Sequence, residues 1–478
     1  GSWHFYEHII RRAAGLGTAP SLPDPDRYEK ANAHCDLLVV GAGPAGLAAA
    51  LVAARAGARV VLAEQDYELG GSLLGQARGA AHEWAADAIE ELQAASNVRL
   101  LPRTTAFGFY DHNLVGLVER VADHLPQPAS HQPRQRLWRI RARQVVLAGG
   151  AHERPLLFGN NDLPGVMLAG AVRHYLHRWA VVPGKQVVVF TNHDEAYRTA
   201  IDLADAGIKV AAVVDPRPIA NGELVGALPA RGIEHLPRHV VMRARGGSEL
   251  QSAEIAALTS DGQAGEPRRT IMCDLLAMSG GWNPAVQLHA QSGGHPKWDA
   301  RLGSFVPGPS KQQERSAGAA AGQMTVEAAL AGGVQAAQQA LAALNINAAP
   351  VELPTVEPEP EAIPGDLWEV PGRQGKRFVD FQHDVTTKDL KQAVQEGYRS
   401  PEHAKRYTTL GMATDQGKTA NVNALDVLAR ARGTAREKLA QTGFRPPYTP
   451  VTMGALAGRS VRKNFKPIRR SPMHDWHL

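Results

Sequence analysis

Apolar positions along this chain follow two periods, and their alternation predicts an α/β protein. Leu37-Leu-Val-Val40 is a short β-branched run ended by glycines, and no charged residue occurs from Leu37 to Ala54. Such a stretch invites a membrane reading. Gly41, Gly43, Pro44 and Gly46 interrupt it, and a β-rich first half gives way to an Ala-rich second half, so a buried strand, turn and helix account for it better. A second strand is expected over Ala58–Ala63. The pattern returns at Gln144–Leu147, which ends in Ala148-Gly149-Gly150. It returns again at Val187–Phe190, followed by a helical run to Ala206 and a strand at Lys209–Val214. Arg136 to Arg143 alternates basic and apolar residues, as a strand with one wet face does. Trp3–Ala14 and the Ala-rich Val326–Leu344 read as helices. Met278-Ser-Gly-Gly-Trp-Asn-Pro284 reads as a strand end turning tightly into a helix.

These elements predict an α/β fold of the Rossmann-like flavoprotein type with two dinucleotide-binding domains, followed by a small, mostly α domain. An N-terminal helix and connection would occupy 1–33. The dinucleotide-binding domain would take 34–165 and 271–345, and a second, degenerate Rossmann-like domain 166–270. A Pro/Glu-rich linker is expected over 346–377, a small helical domain over 378–445 and a basic tail over 446–478.

Composition narrows the class. At 478 residues, with 44% hydrophobic and 21% charged positions, the chain is neither collagenous, disordered nor a disulfide scaffold. Its +5 charge is local, because Arg459, Arg462, Lys463, Lys466, Arg469 and Arg470 account for it. A nucleic-acid partner is therefore not expected. Two cysteines, Cys35 and Cys273, cannot build a CxxC pair, a zinc finger or an iron–sulfur ligand set. That points to a reducing, cytoplasmic compartment. Glu7 and Arg11-Arg12 stand where a signal peptide would be apolar. His474 and His477 lack a third ligand, so no metal is expected. Neither HExxH nor GxSxG occurs, and no residue stands out as catalytic.

The strongest chemical signal is Gly41-Ala-Gly43-Pro-Ala-Gly46, after an apolar strand and opening a helix. Gly41 permits the tight turn, Gly43 lets backbone approach a diphosphate and Gly46 allows close helix–strand packing. The diphosphate would rest on the helix N-terminus. Glu64, ending the next strand, would take an adenosine ribose and disfavour a 2′-phosphate, which argues for NAD or FAD over NADP. Gly70-Gly71 follows, as in flavoprotein-like dinucleotide folds. The corresponding second loop, Thr191-Asn-His-Asp194-Glu195-Ala196, has no glycine and sets two carboxylates where a diphosphate needs donors. It is expected to bind no pyridine nucleotide, and its two acids to cap the following helix.

Several stretches together resemble the α subunit of heterotetrameric sarcosine oxidase. They are Trp3-His-Phe-Tyr-Glu-His-Ile-Ile-Arg-Arg-Ala-Ala-Gly15-Leu-Gly17, the glycine loop, Ser279-Gly-Gly-Trp-Asn-Pro284, Phe378-Val-Asp-Phe-Gln382, Lys405-Arg-Tyr-Thr-Thr409, Gly411-Met-Ala-Thr-Asp-Gln-Gly-Lys418 and Pro467-Ile-Arg-Arg-Ser-Pro-Met-His-Asp-Trp476. The resemblance spans the whole chain. It implies the middle of a longer subunit, without the family's N-terminal ferredoxin-like domain and with only the opening of its C-terminal folate-binding, aminomethyltransferase-like domain. It implies a bound, non-redox NAD here, and FAD and covalent FMN in or at the interface with a β subunit. It further implies two small subunits and tetrahydrofolate in the C-terminal domain. Carried over residue by residue, the NAD contacts would be Ala45, Glu64, Gln65, Asp66, Ser72 after Gly71, Ala106, Gly318, Gln323 and Thr325. Gln65-Asp66 departs from the Glu-Arg pair associated with this strand end. The segment from Phe378 resembles a domain that carries an iron–sulfur cluster in opine- and proline-oxidising relatives, but here it has no cysteine. Lys405, Arg406 and Lys418 offer cations there for a partner's acidic surface or a flavin phosphate. Two other readings stay open: an autonomous FAD-dependent amine or opine dehydrogenase, and a non-catalytic assembly scaffold.

Overall fold

The protein is described by a computed structural model over residues 3–17, 24–218, 222–266, 269–372, 375–457 and 470–478. The basic residues from Arg459 to Arg469 lie outside these. Contacts divide the chain into two units, one of 1–31, 120–137 and 451–478, the other of 32–119 and 138–450. In the smaller unit the helix α1 (Trp3–Ala13) buries none of its residues. Arg134 ties that unit together, donating to Asp26 at 2.9 Å and to the carbonyls of Ala122 and Leu125 at 3.2 and 2.7 Å.

The larger unit holds a seven-stranded sheet. Its strands β1 (Tyr28–Val40), β2 (Val60–Ala63) and β3 (Val98–Leu101) run parallel, with Leu37 opposite Val60 and Val60 opposite Val98. On the other side of β1 lies β6 (Gln135–Leu147), whose last residues pair parallel with β19 (Glu314–Ser316). The antiparallel hairpin of β4 (Thr104–Tyr110) and β5 (Leu114–Glu119) completes it. Along β6, Arg139, Arg141 and Arg143 are exposed while Ile140 and Ala142 are buried, which is the alternation read from the sequence. The helices α2 (Pro44–Arg55), α3 (Ala80–Ala94) and α8 (Val326–Ala342) share one apolar cluster with Leu37, Val39, Val60 and Leu62. Covered strands of this kind read as continuous apolar runs, so Leu37–Val40 carries no alternation.

A second sheet is all parallel, in the order β11 (Glu234–Pro237), β10 (Lys209–Asp215), β9 (Gln186–Thr191), β15 (Leu275–Ser279), β8 (Val166–Leu168). The helices α4 (Ala169–Trp179) and α5 (Tyr197–Asp205) pack on it, and α6 (Glu223–Gly226) adjoins α5. Three antiparallel strands, β12 (His239–Gly246), β13 (Leu250–Ala257) and β14 (Arg269–Met272), form a separate layer. The segment 271–279, expected with the first domain, therefore belongs with the second. Every residue of β15 is buried, and such a strand needs a neighbour on both edges.

Two further expectations are corrected. After Ser279 the chain turns at Gly281 (φ +98°) into a second strand, β16 (Trp282–Pro284), which pairs antiparallel with β7 (Ala151–Glu153); helix α7 begins only at Gln287 and ends at Gln291. The Gly-Gly turn sends the backbone back onto β7, where its N–H groups find partners before a helix can start. The stretch 346–377 has no long element, but it is not a free tether. Ala362, Trp368 and Val370 are buried, and Trp368 lies between the guanidinium groups of Arg154 and Arg436, at 3.9 and 4.0 Å. Those apolar residues, set among prolines, anchor it as a strap.

Beyond the strap, the hairpin of β20 (Phe378–Asp380) and β21 (Val385–Thr386) leads into α9 (Thr387–Gln395), α10 (Pro401–Thr408) and α11 (Asn421–Arg432). Thr386 and Asp389 form a capping box on α9, and Ser400 caps α10. Among the described residues, no helix is long and apolar enough to cross a membrane.

Candidate dinucleotide site

The glycine loop sits where β1 and β2 end. Gly41 adopts φ +99°, and a Cβ there would come 2.4 Å from the Ala148 carbonyl oxygen at the end of β6. A Cβ on Gly46 would lie 1.8 Å from the Gly41 oxygen. Neither position tolerates a side chain. Gly43 faces Gly71 across bare backbone, its Cβ position 3.7 Å from the Gly71 Cα. No side chain caps α2 at Gly43, so its first N–H groups are available to an anion. This glycine-walled groove on a helix N-terminus fits a dinucleotide diphosphate.

Glu64 follows β2 and is 8% exposed. Its Oε2 accepts the Ala42 N–H at 2.7 Å and its Oε1 the Asp66 N–H at 2.9 Å. Burial raises its pKa above the usual carboxylate range, opposed by the backbone N–H groups of Asp66, Ala42 and Gln65. At least one of its roughly four lone-pair directions stays open. Asp66 differs. Arg178 of α4 donates to both its oxygens, at 2.7 and 3.0 Å, and holds its carboxyl below the usual range.

The other expected contacts converge on the same region. Gln65 is exposed between the two acids, and Ser72 is exposed in a turn of 3-10 helix, Gly71–Gly75. Ala106 is buried in β4, whose start is tied to the acid strand by Thr104 N–H to Glu64 O at 2.7 Å and Arg103 N–H to Asp66 O at 2.8 Å. Gly318 (φ +66°) lies against Ala45, where a Cβ would come 2.7 Å from the Ala45 Cβ. Gln323 and Thr325 serve their own backbone: Gln323 Oε1 accepts the Gly318 N–H at 2.8 Å, and Thr325 Oγ1 caps α8 at Ala328 N–H, 3.2 Å. Sequence reasoning missed Gly333 in α8, where a Cβ would come 2.1 Å from the Ala45 oxygen. A glycine pair inside an Ala-rich helix was the available signal, since glycine there costs about 1 kcal/mol without a packing reason.

In the second sheet the equivalent loop is plugged from within. Thr191, Asn192 and His193 are buried. Asn192 Nδ2 donates to the Gly365 and Leu367 carbonyls of the strap at 3.2 and 3.0 Å, and Gly365 N–H returns to Asn192 O at 2.8 Å. Arg217 reaches Asp194 and Asp215, both at 2.6 Å, and Arg173 meets Glu195 at 3.0 Å. Asp194 and Glu195 thus form ion pairs and do not cap α5 with their side chains. Asp215, the acid ending β10, is fully buried and also accepts from the Tyr197 hydroxyl at 2.8 Å. Cys35 and Cys273 are buried apart from both loops, and burial pushes each thiol up to about 12.

A glycine-walled cradle and a plugged Rossmann loop stand together in an α/β protein with the FAD-dependent oxidoreductase fold. Residues 36–138 match the FAD dependent oxidoreductase family, and residues 374–459 match the sarcosine oxidase A3 domain. The chain is similar to sarcosine oxidase subunit alpha of Rhizobium meliloti (strain 1021), 48% identical over 98% of this chain and 47% of that protein. It is also similar to sarcosine oxidase subunit alpha of Corynebacterium sp. (strain P-1), 42% identical over 97% of this chain and 49% of that protein. The chain spans about half the length of these curated relatives. Among solved structures, L-proline dehydrogenase from P. horikoshii matches with a TM-score of 0.69 at 22% identity, covering 90% of this chain and 80% of that one, which is a likeness of fold.

Proposed function

We propose that this chain is the NAD-binding core of the α subunit of a sarcosine-oxidase-type complex, and that its dinucleotide is structural. In this reading the chain is part of an oxidoreductase acting on a CH–NH group with oxygen as acceptor. Sarcosine would lose two electrons and two protons to a flavin associated with a β subunit, and oxygen would take both as hydrogen peroxide. The resulting one-carbon unit passes to tetrahydrofolate as methylenetetrahydrofolate, leaving glycine. In this reading FAD, covalent FMN, two small subunits and tetrahydrofolate belong to other parts of the complex. The chain's own residues bind and orient: Gly41, Gly43 and Gly46 seat the diphosphate, and Glu64 takes the ribose. Bound there, NAD would serve as structural support and would transfer no hydride.

The observation that carries the reading is the pairing of one intact cradle with one loop sealed by Arg217 and the strap. A sealed second loop and two cysteines in all support a structural dinucleotide over hydride relay, which needs a second nucleotide site and a thiol pair. A second reading, FAD in the same cradle, draws on the match of residues 36–138 to FAD-dependent oxidoreductases. The test is direct. The chain is purified alone, its near-UV and visible spectrum recorded, and the nucleotide released by denaturation identified by mass. NAD without flavin is the expected result. FAD at near-unit occupancy overturns it and makes this chain an oxidoreductase in its own right.

A further inference from the structure

Asp66 and Glu64 are two residues apart on the same strand end, yet their carboxylates are in different states. Asp66 Oδ1 accepts the Tyr67 N–H at 2.6 Å, the Glu68 N–H at 3.4 Å and Arg178 Nη2 at 3.0 Å, while Oδ2 accepts Arg178 Nη1 at 2.7 Å. Three of these contacts fall on Oδ1 and one on Oδ2, so Oδ1 is fully used and Oδ2 keeps a single acceptor direction. Most of the bonding capacity of Asp66 goes to its own loop and to Arg178.

The donor comes from the other sheet's helix. Arg178 lies in the last turn of α4, with its side chain only 7% exposed, and its Nη2 also approaches Glu68 Oε2 at 3.1 Å. Its guanidinium stacks at 4.9 Å on the rings of both Tyr67 and Trp179, and Arg103 stacks on Tyr67 at 5.2 Å. One turn earlier on α4, His174 packs against Gly75, where a Cβ would come 2.7 Å from its Nδ1. The segment 66–75 is thereby gripped at both ends by α4. Between those grips lie Gly70 and Gly71, the wall that faces Gly43. A bidentate pair whose guanidinium is buried is geometrically specific, which suits a positioning role.

We propose that α4 is a clamp that holds residues 66–75 in their dinucleotide-bound shape, and that Arg178 is a positioning residue acting through Asp66, which anchors the wall and does not itself touch the ribose. The inference rests on the NAD site proposed above. It gives the degenerate second unit a use: it no longer carries a nucleotide, and its helix fixes the first unit's. A wall preorganised without ligand lowers the ordering cost of binding and slows release.

The test measures release of bound NAD from the full chain by exchange against isotopically labelled NAD, with the melting temperature of each NAD-free variant taken separately. Arg178→Ala and Asp66→Arg should each speed release about tenfold, about 1.4 kcal/mol, because the bidentate anchor of the wall is lost. Arg178→Lys, which cannot bridge both oxygens, should fall between Arg178→Ala and wild type. The swapped pair Asp66→Arg with Arg178→Asp should return to within about threefold of wild type, because the anchor is restored while any ribose contact of Asp66 is not. A swapped pair as leaky as Asp66→Arg alone overturns the clamp in favour of direct contact. So does wild-type release from Arg178→Ala. A wild-type chain that retains no NAD overturns the proposed function first, and the clamp with it.

Discussion

The two βαβ units share a topology and keep opposite states. In each, a buried parallel strand runs into a loop and a helix, and a second strand ends in an acid, Glu64 in one and Asp215 in the other. In the first, glycines leave backbone N–H groups bare and the acid keeps at least one lone pair open. In the second, Asn192, Asp194 and Glu195 replace the glycines, Arg217 neutralises two acids, and the strap closes over the loop. Topology alone does not make a nucleotide site. Unsatisfied donors at a helix N-terminus do, and in the second unit the loop's Asn192, Asp194 and Glu195 are engaged by the strap, Arg217 and Arg173.

That contrast can be broken from either side. The largest effect is expected in the plugged unit. Asp215→Ala removes the fully buried carboxylate that Arg217 and Tyr197 share, leaving Arg217 with Asp194 and Tyr197 with His235, so stability should fall by about 3 kcal/mol. Nucleotide content should not change, as read by denaturant melts and by mass of the released nucleotide. Loss of nucleotide in that variant would mean the second unit is not sealed. Next is Gly46→Ala, whose methyl group meets the Gly41 oxygen. A loss of about 2–3 kcal/mol from overpacking is expected, and here the bound nucleotide should go too. Glu64→Gln is milder. Gln keeps one acceptor and the shape, so NAD should bind about tenfold more weakly by titration, and discrimination against NADP should narrow. Unchanged preference would remove Glu64 from the ribose.

The glycine loop of the first unit was legible because its signals are local. Gly41, Gly43, Gly46 and Glu64 lie within one strand–turn–helix–strand, and the Arg139/Arg141/Arg143 alternation of β6 is read within a single strand. The plugged unit was legible only in what it lacks. Its seal joins Asn192 to Gly365 and Leu367, far along the chain, and the clamp joins Asp66 to Arg178, 112 positions away. No periodicity encodes such pairs, because they depend on which helix the tertiary fold brings over which loop. The same limit explains β15. A continuous apolar run says that a strand is buried on both faces, not which sheet buries it.

The finest distinction between the units concerns protons. In the plugged unit Glu153 accepts the Gly170 N–H at the start of α4, at 2.8 Å, and Ser279 links it to His193, whose Nε2 lies 2.7 Å from the Ser279 oxygen. Burial pushes Glu153 up to about 8 and His193 down to about 3, so both are neutral near pH 7. The folded chain holds the Glu153 proton more tightly than the unfolded chain does. The stability this contributes is complete below the ordinary value of 4.5 and is lost as pH rises through 8. Glu153→Gln is neutral at every pH and keeps the acceptor for Gly170. It should match wild type in acid and exceed it by about 1–2 kcal/mol at about pH 9, a fraction of the full shift because a buried site relaxes when it ionises. Urea melts at both pH values decide it. Parallel loss of stability in the two proteins would place the alkaline sensitivity elsewhere, and would leave the plugged unit sealed by its ion pairs without a neutral core beneath them.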